Sequence, residues 1–287
     1  MAFTERGIQM ADLQFVVDSS ACTRCGACVK DCPASVIRLE SGSLPRIDAE
    51  KADDCIQCQH CLAVCPTGAL SIFGLKPENS LKLGKESALD LEKEELALRG
   101  RRSVRQFSLD SVDSVLIERL LKDTAYSPTG CNSRSLTFTL IDGRPAMERA
   151  LERLVSSLEA AKQAGHMPEA LSFVSGAAEA YRKSGADVFF RGAPHLLIVS
   201  APGCSVCKGE DAIIALSTFE RVATAAGLGT TWCGFFKIIL DIVPELKAEF
   251  GLADDCGYYA MLFGHPKVKY ARTVQRDADA CIRRIFQ

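Results

Sequence analysis

Apolar residues in the rear two thirds of the chain alternate between the spacing of helices and that of strands. They recur at helical intervals over 112–122, whereas over 136–140 they alternate with threonines, as in a half-buried strand. Next, the pattern predicts amphipathic helices over 145–163 and 168–183, a buried strand at 195–200, a long helix over 210–226, a loop with the sequence GLGTTWCGFF and a strand at 258–263. This mixture favours an α+β domain, with helices packed on a largely antiparallel sheet.

The front of the chain has a different pattern. Short apolar pieces at 13–17 and 69–73 flank two cysteine-rich runs, and the stretch 74–86 is rich in glycine, proline and polar residues, as a linker is. Ser87 and Asp90 resemble a capping box for a helix that runs to Arg99 and ends at Gly100. We therefore expect one domain over 1–76, a linker over 77–86 and a second domain over 87–287.

Composition and charge narrow the function classes. The chain has 287 residues, of which 47% are apolar and 24% charged, as in globular proteins. Its net charge of −2 provides no basic field, so we expect no nucleic-acid partner. The sequence has neither an apolar run near the ~20 residues that a bilayer requires nor the pattern of a signal peptide. We expect no membrane association and a cytoplasmic location.

Eight of the 14 cysteines form two runs with the same spacing, CTRCGACVKDCP and CIQCQHCLAVCP, both of the form C-x2-C-x2-C-x3-C-P. Three thiolates on a tight loop can each reach a different iron of one cubane, and the fourth starts a helix that points to the other cluster. The spacing thus predicts two [4Fe–4S] clusters. One is held by Cys22, Cys25, Cys28 and Cys65, and the other by Cys55, Cys58, Cys61 and Cys32.

Disulfides and zinc are the alternatives for these cysteines. Disulfides fit poorly with a reducing cytosol, and zinc usually takes paired C-x2-C knuckles instead of a triple followed by x3-C-P. Residues 12–74 resemble a bacterial two-cluster ferredoxin domain, whose small core the clusters would stabilise.

A cluster of arginines opens the second domain. Arg101, Arg102 and Arg105 in RRSVRQF stand beside the hydroxyl of Ser103, and Arg99 lies just ahead of them. Guanidinium groups bind phosphate oxygens in pairs, so this arginine segment, residues 101–107, is a candidate phosphate site. The alternative is a solvated basic face.

Five motifs in order resemble the FMN-dependent nitroreductase family over residues 87–287: RRSVRQF, YSPTGCNSRS, ED before a long helix, GLGTTWCGFF and GHPKVKYAR. The resemblance implies a homodimeric α+β fold with FMN at the subunit interface and hydride transfer at flavin N5, without a catalytic side chain. By position it implies FMN contacts at Arg101, Arg102, Ser103 and Arg105 for the phosphate, Ser127, Pro128, Thr129 and Asn132 in a serine-proline loop from the partner subunit, the backbone of Cys233 and Gly234 near N5, and Arg272 or Arg276 late in the chain.

The sequence departs from the family in two places. Relatives often carry glutamine, proline and tryptophan where Arg134, Ser135 and Leu136 stand here, and many have an acidic residue in place of Cys233. We therefore expect Cys233 to act through its backbone and not its side chain.

Two one-electron carriers joined to a flavin indicate an iron–sulfur flavoprotein oxidoreductase, in which single electrons enter and a hydride equivalent leaves. The expected acceptor is a small nitro compound, quinone or enone, and the expected donor is ferredoxin-like or NAD(P)H. No G-x-G-x-x-G motif is present, since Trp232 stands at its third glycine. The alternative function is a redox sensor or electron reservoir without a dedicated substrate.

Some residues have no place in this scheme. Cys204 and Cys207 form a further C-x-x-C, which is a redox pair, half of a metal site, or a reduced feature of a loop. We expect His195 to be a hydrogen-bonded core histidine and Cys131 to pack. For Asp211, at the start of the long helix, the prediction is an interaction with the helix dipole and no acid–base role.

Overall fold

A computed structural model describes residues 13–276 and 281–286. The chain divides into two compact units. The first holds the described residues up to Leu89 together with Cys131–Ser133, and the second holds Asp90–Gly130 and the described residues from Arg134 onwards. Among the described residues, none of the helices has the length and apolar character needed to cross a membrane.

The first unit repeats one small pattern twice. Strand β1 (Val16–Val17) pairs antiparallel with β4 (Leu70–Ser71), and β2 (Ile37–Arg38) pairs antiparallel with β3 (Arg46–Ile47). Each cysteine motif contains one short helix, α1 (Ala27–Lys30) or α2 (His60–Ala63). The paired strands at both ends of the unit are shorter than the apolar pieces at 13–17 and 69–73 suggest. Leu13 and Ile72, from these pieces, are buried but lie outside the paired strands.

The two ligand loops also share their backbone conformation. Arg24 and Gly26 in the first motif have positive φ angles of 55° and 72°, and Gln57 and Gln59 in the second have 55° and 62°. Residues with a Cβ adopt this left-handed region only at a cost of roughly 1–2 kcal/mol each. The sequence repeat is therefore a structural repeat, with left-handed residues at matching positions of the two loops.

A four-stranded antiparallel sheet forms the centre of the second unit. Its strands are β5 (Thr137–Asp142), β6 (His195–Ala201), β7 (Gly229–Trp232) and β8 (Gly257–Gly264), in the order β5-β6-β8-β7. Every residue of β6 is buried, because helices cover both faces of the sheet. The predicted α+β fold with an antiparallel sheet is confirmed.

Alternate residues of the central strands enter two separate cores. Leu196 and Ile198 pack with α5 (Arg144–Gln163), α6 (Ser172–Ser184) and α8 (Gly234–Ile242). Leu197 and Val199 point to the other face and pack with α4 (Ser114–Thr124) and α7 (Lys208–Ala225). The unit also contains α3 (Leu91–Gly100) and the short α9 (Leu246–Glu249).

Two predictions of local structure are wrong. The helix expected to begin at Ser87 begins at Leu91, because the Asp90 carboxylate caps it by accepting from the Lys93 amide at 3.1 Å, and Gly100 is its last residue. The expected loop GLGTTWCGFF is instead strand β7 followed by α8. Its glycines suggested a loop, but its threonines and tryptophan favour a strand when β8 lies beside them.

Candidate cofactor sites

Four cysteines from the two motifs line one cavity in the first unit. They are Cys22, Cys25 and Cys28 of the first motif and Cys65 of the second. Val17 and Leu70, from the paired strands β1 and β4, form part of the same wall. The structure thus brings together the crossed set of ligands that the spacing predicts for one cubane.

The other four cysteines also lie near one another. The pKa of the Cys61 thiol is raised to about 12, mainly by burial and in smaller part by the thiolates of Cys58, Cys55 and Cys32. Burial likewise raises the pKa of Cys55, with a contribution from Cys58 and Cys32. Iron would offset this cost, because a coordinated thiol is deprotonated by the metal's charge.

Each motif gives its fourth cysteine an amide donor. The Val36 amide donates to Cys32 Sγ at 3.4 Å, and the Ala69 amide donates to Cys65 Sγ at 3.2 Å. Burial acts to raise the pKa of Cys65, but the hydrogen bonds from the Ala69 amide, the Thr67 hydroxyl and the Thr67 and Gly68 amides together outweigh burial, so the pKa is lowered. Such donors stabilise negative charge on the sulfur and so help to set the potential of an iron–sulfur cluster.

A cubane and a single metal ion require different arrangements. Over residues 13–276 and 281–286, no three His, Cys, Asp or Glu side chains converge in a way that would hold a single metal ion. A cubane presents four irons at its corners and therefore takes thiolates that lie further apart.

The His60 side chain, between two of the proposed ligands in the second motif, is half-exposed, and its Nδ1 lies 3.9 Å from the Asp31 carboxylate.

The arginine segment lies along the edge of β7. The Val104 amide donates to the Thr230 carbonyl at 2.9 Å, and Val104 is buried while Arg105 is exposed. A Cβ at Gly229 would lie 2.7 Å from Val104 Cγ2, closer than van der Waals contact allows. Glycine at this position is therefore what allows the segment to lie against the strand.

Two of the arginines have hydrogen-bond partners within the second unit. Arg101 Nη1 lies 3.4 Å from the Glu220 carboxylate, which is 7% exposed and also accepts from the Thr230 hydroxyl at 3.1 Å. Arg102 donates to the Arg99 carbonyl oxygen, and its Nε–H is buried without a hydrogen-bond partner. An unpaired buried guanidinium donor beside a second, partly exposed guanidinium fits an anion such as a phosphate.

The C-terminal stretch comes to the same place. The Lys267 amide donates to the Gln106 carbonyl at 2.9 Å, and the Tyr270 hydroxyl donates to the Ser103 carbonyl at 3.4 Å. Arg272 and Arg276 follow on the same exposed stretch of chain. Ser103 itself is half-buried, and it forms a parallel bridge with Thr230.

The serine-proline loop, residues 127–132, follows α4. The buried Ser127 donates its hydroxyl to the Thr124 carbonyl at 2.7 Å, so that this hydroxyl completes the helix end. Pro128 is exposed, and the Thr129 hydroxyl accepts from the Arg134 amide at 3.0 Å. Asn132 belongs to the first unit, where its side-chain amide donates to the Ile56 carbonyl at 2.9 Å. Cys131 is exposed, so the expectation that it packs is wrong.

Cys233 and Gly234 lie where β7 ends and α8 begins. The Cys233 amide donates to the Ala260 carbonyl at 2.9 Å, and its thiol is buried near the Phe189 carbonyl. Burial raises the pKa of this thiol to about 12. Gly234 is the first residue of α8, and its N–H is one of those that a helix leaves without an internal acceptor. Within this pair, Gly234 is the residue that can offer an amide to a ligand.

Two buried acids lie on α7: Glu220, which sequence reasoning missed, and Asp211, whose role it described only in part. The Asp211 carboxylate accepts from the Gly130 amide at 2.9 Å and so holds the serine-proline loop, and its other oxygen is buried without a partner. The expectation of a role limited to the helix dipole is thus incomplete. Both acids occur among the buried positions of α7, and a charge on such an apolar stripe is a signal that could have identified them.

Comparison with known proteins defines the class of protein. The model of the Nitroreductase family matches residues 98–265, and that of the 4Fe-4S dicluster domain matches residues 21–70. The first match covers more than half of the chain, so this protein belongs to the nitroreductase family. The family and the ferredoxin-like front domain predicted from the sequence are confirmed.

Particular relatives resemble one part or the other. A methylamine utilization ferredoxin-type protein, MauM, of Methylobacillus flagellatus is 41% identical over 59 residues, which are 18% of this chain and 25% of MauM. A ferredoxin-like protein in the nif region of Sinorhizobium fredii is 39% identical over 57 residues, 19% of this chain and 88% of that protein. The chain thus spans only about a quarter of MauM.

Among solved structures, a nitroreductase with bound FMN from Bacteroides fragilis resembles the chain with a TM-score of 0.52 and 17% identity. The match covers 68% of this chain and 100% of the other. At this level of identity the comparison establishes a common fold, which is that of the nitroreductases.

Proposed function

We propose that this protein is an iron–sulfur flavoprotein oxidoreductase that passes electrons from its [4Fe–4S] clusters to FMN and on to a small nitro, quinone or enone acceptor. The family makes it an FMN-dependent oxidoreductase, and its cofactors are FMN and two [4Fe–4S] clusters. The observation that carries the proposed electron flow is the presence of both domains in one chain. An electron carrier that is attached to a flavin domain has a fixed recipient for its electrons.

When bound, FMN accepts electrons singly from one-electron carriers and delivers a hydride equivalent. We assign the FMN phosphate to Arg101, Arg102, Ser103 and Arg105, with Arg272 or Arg276 as a further contact. The buried, unpaired Nε–H of Arg102 is the donor that most needs an anionic acceptor. Glu220 keeps the Arg101 guanidinium in place, because it is itself fixed by Thr230.

The remaining proposed contacts involve backbone. The Gly234 amide, at the start of α8, is assigned to the flavin edge, with Cys233 supporting it from the sheet. Pro128, Thr129 and Asn132 of the serine-proline loop are assigned to the flavin of a partner subunit, while the hydroxyl of Ser127 serves the helix end. Asp211 holds this loop by its bond to the Gly130 amide.

Homodimerisation, the domain boundaries and the cytoplasmic location belong to the same proposal. Exposed apolar side chains on two helices, Val115 of α4 and Ile213 and Ile214 of α7, support a dimer interface. Side chains over 80–89 are exposed, which supports a linker over 77–86 between domains at 1–76 and 87–287. The proposed donor is a ferredoxin-like protein or NAD(P)H.

An anaerobic acceptor screen tests the substrate class. Holoprotein with a low-potential ferredoxin or NADPH as donor is offered nitroaromatics, quinones and enones, and consumption of the donor is followed. We expect at least one class to be turned over many times per flavin. Reduction of the bound cofactors without turnover of any acceptor would contradict the proposal and favour the redox sensor or electron reservoir.

A further inference from the structure

A pair of cysteines outside the cluster motifs lies in the turn that leads into α7. Cys204 is exposed, and Cys207 is half-buried at the N-cap position of the helix. The turn is closed by the Ser205 amide, which donates to the Pro202 carbonyl at 2.9 Å. Cys-x-x-Cys is a spacing at which thiols are often reactive and exchange with disulfides.

Cys207 lies directly against the serine-proline loop. A Cβ built on Gly130 would lie 3.0 Å from both the Cβ and the Sγ atom of Cys207, so only a glycine fits there without a shift. The Gly130 amide donates to Asp211, one turn into the same helix. A displacement of the Cys207 sulfur would therefore change its contact with the backbone of Gly130.

Asp211, in the first turn of α7, is bonded to both Cys207 and Gly130. Its amide donates to the Cys207 carbonyl at 2.8 Å, its side chain is 2% exposed, and its second carboxylate oxygen has no hydrogen-bond partner. A buried oxygen with no partner is costly to maintain for stability alone. Asp211 therefore joins the two partners directly, since its amide binds the Cys207 carbonyl and its carboxylate binds the Gly130 amide.

We propose that Cys204 and Cys207 form a redox-active dithiol that exchanges with low-molecular-weight disulfides, and that its oxidation state is transmitted to Gly130. The thiolate of the exposed Cys204 attacks one sulfur of the small disulfide, whose S–S bond breaks and releases one thiolate. Cys207 then attacks Cys204 Sγ in this mixed disulfide and releases the second thiolate. The two protons from the cysteines pass to the released thiolates, so the small disulfide is reduced by two electrons and the pair is oxidised by two.

The reaction can be followed on one peptide of the intact holoprotein. Trypsin cuts after Arg191 and Lys208 and releases a peptide whose only cysteines are Cys204 and Cys207. Anaerobic holoprotein is equilibrated in glutathione buffers, quenched with acid, alkylated and analysed by mass spectrometry. At a fixed ratio of disulfide to thiol, an internal disulfide becomes about tenfold more populated, relative to the dithiol, on tenfold dilution of the buffer, whereas a mixed disulfide does not change.

We expect this dilution dependence for the Cys204–Cys207 peptide. We expect no such dependence for Cys281, an exposed cysteine that is not part of a C-x-x-C pair. A peptide that stays fully reduced, or one that forms only mixed disulfides, would overturn the proposal. The measurement needs no flavin, so its failure would leave the proposed oxidoreductase function intact.

Two variants test the order of attack and the link to Gly130. Cys207→Ser should trap a mixed glutathione disulfide on Cys204, and Cys204→Ser should form one on Cys207 far more slowly, because Cys207 is half-buried. In the unsubstituted protein, oxidation should change the hydrogen–deuterium exchange of the Gly130 amide. Equal trapping in both variants, or unchanged exchange at Gly130, would refute the corresponding step.

Discussion

Arg101 and Glu220, 119 positions apart in the chain, form an ion pair beneath the arginine segment, with Arg101 Nη1 at 3.4 Å from the carboxylate. Glu220 is buried and is held on its other side by Thr230, whereas the Arg101 side chain is 32% exposed. The carboxylate of the pair is therefore held in place, whereas the guanidinium keeps part of its conformational freedom. A guanidinium anchored in this way loses less side-chain entropy when it binds an anion.

Glu220→Gln should weaken FMN binding by roughly 3- to 30-fold, a range set by the net value of one charge-assisted hydrogen bond with an allowance for the partial exposure of Arg101. The amide keeps the shape of the side chain but loses its charge, so Arg101 is no longer held. Titration of the apoflavoprotein by FMN fluorescence measures the change. Glu118→Gln is the matched control, since Glu118 forms an exposed ion pair with Lys122. Unchanged or tighter binding in Glu220→Gln would show that Glu220 does not position Arg101.

Gly229→Ala should displace the arginine segment. The new methyl group would meet Val104 at 2.7 Å, and overpacking of this kind usually costs about 1–3 kcal/mol. The melting temperature should fall, and the FMN dissociation constant should rise. The matched control is Gly176→Ala on α6, where a Cβ meets nothing within 4 Å and helix propensity favours alanine. If both variants have the same FMN affinity as the original protein, the close approach is irrelevant to the flavin.

The crossed ligand sets can be distinguished from uncrossed ones by paired substitutions. Cys65→Ser combined with Cys22→Ser should remove one cluster, because both residues line the same cavity. Cys65→Ser combined with Cys55→Ser should remove both clusters. Iron and sulfide analysis with electron paramagnetic resonance counts the clusters, and Cys281→Ser should retain both of them. If each motif held its own cluster, the outcomes of the two double variants would be reversed.

His195 should make the protein sensitive to acid. It is fully buried, its Nε2 accepts from the Val112 amide at 2.9 Å, and its Nδ1 lies 2.8 Å from the Asp142 carboxylate. Burial lowers its pKa, which Asp142 only partly opposes, so the unfolded chain binds this proton more readily than the folded protein does. Stability should be independent of this group above pH ~6.5 and should fall as the pH drops from there toward the lowered value.

Melting temperatures between pH 5 and 7.5, read from near-ultraviolet circular dichroism, check this dependence. His195→Gln should melt lower throughout and show a shallower decline in acid. His166→Gln, at an exposed position on the chain after α5, should behave as the original protein does. A decline that is equally steep in His195→Gln would mean that other groups cause it.

Features that depend on local spacing were predictable from the sequence. The cysteine repeat predicted which cysteines lie together, and Cys22, Cys25, Cys28 and Cys65 do line one cavity. Apolar alternation located β5, and continuous apolar runs located β6 and β8. His195 was correctly predicted to be a hydrogen-bonded core histidine.

Features that depend on contacts between distant segments were not predictable. The strand β7 forms only because β8 and the arginine segment lie beside it, and its glycines gave a misleading local signal. The bonds of Glu220 to Arg101 and of Asp211 to Gly130 join residues 119 and 81 positions apart, and no periodicity specifies such pairs.

Anaerobic stopped-flow spectroscopy of the holoprotein tests the central claim most directly. After mixing with a one-electron reductant of low potential, absorbance changes of the clusters and the flavin are recorded separately. We predict that the clusters are reduced first and that flavin reduction follows at a rate no slower than turnover. The Cys65→Ser, Cys55→Ser double variant should retain FMN and lose this fast flavin phase. Equally fast flavin reduction without clusters, or an anaerobically purified holoprotein that contains no flavin, would contradict the account.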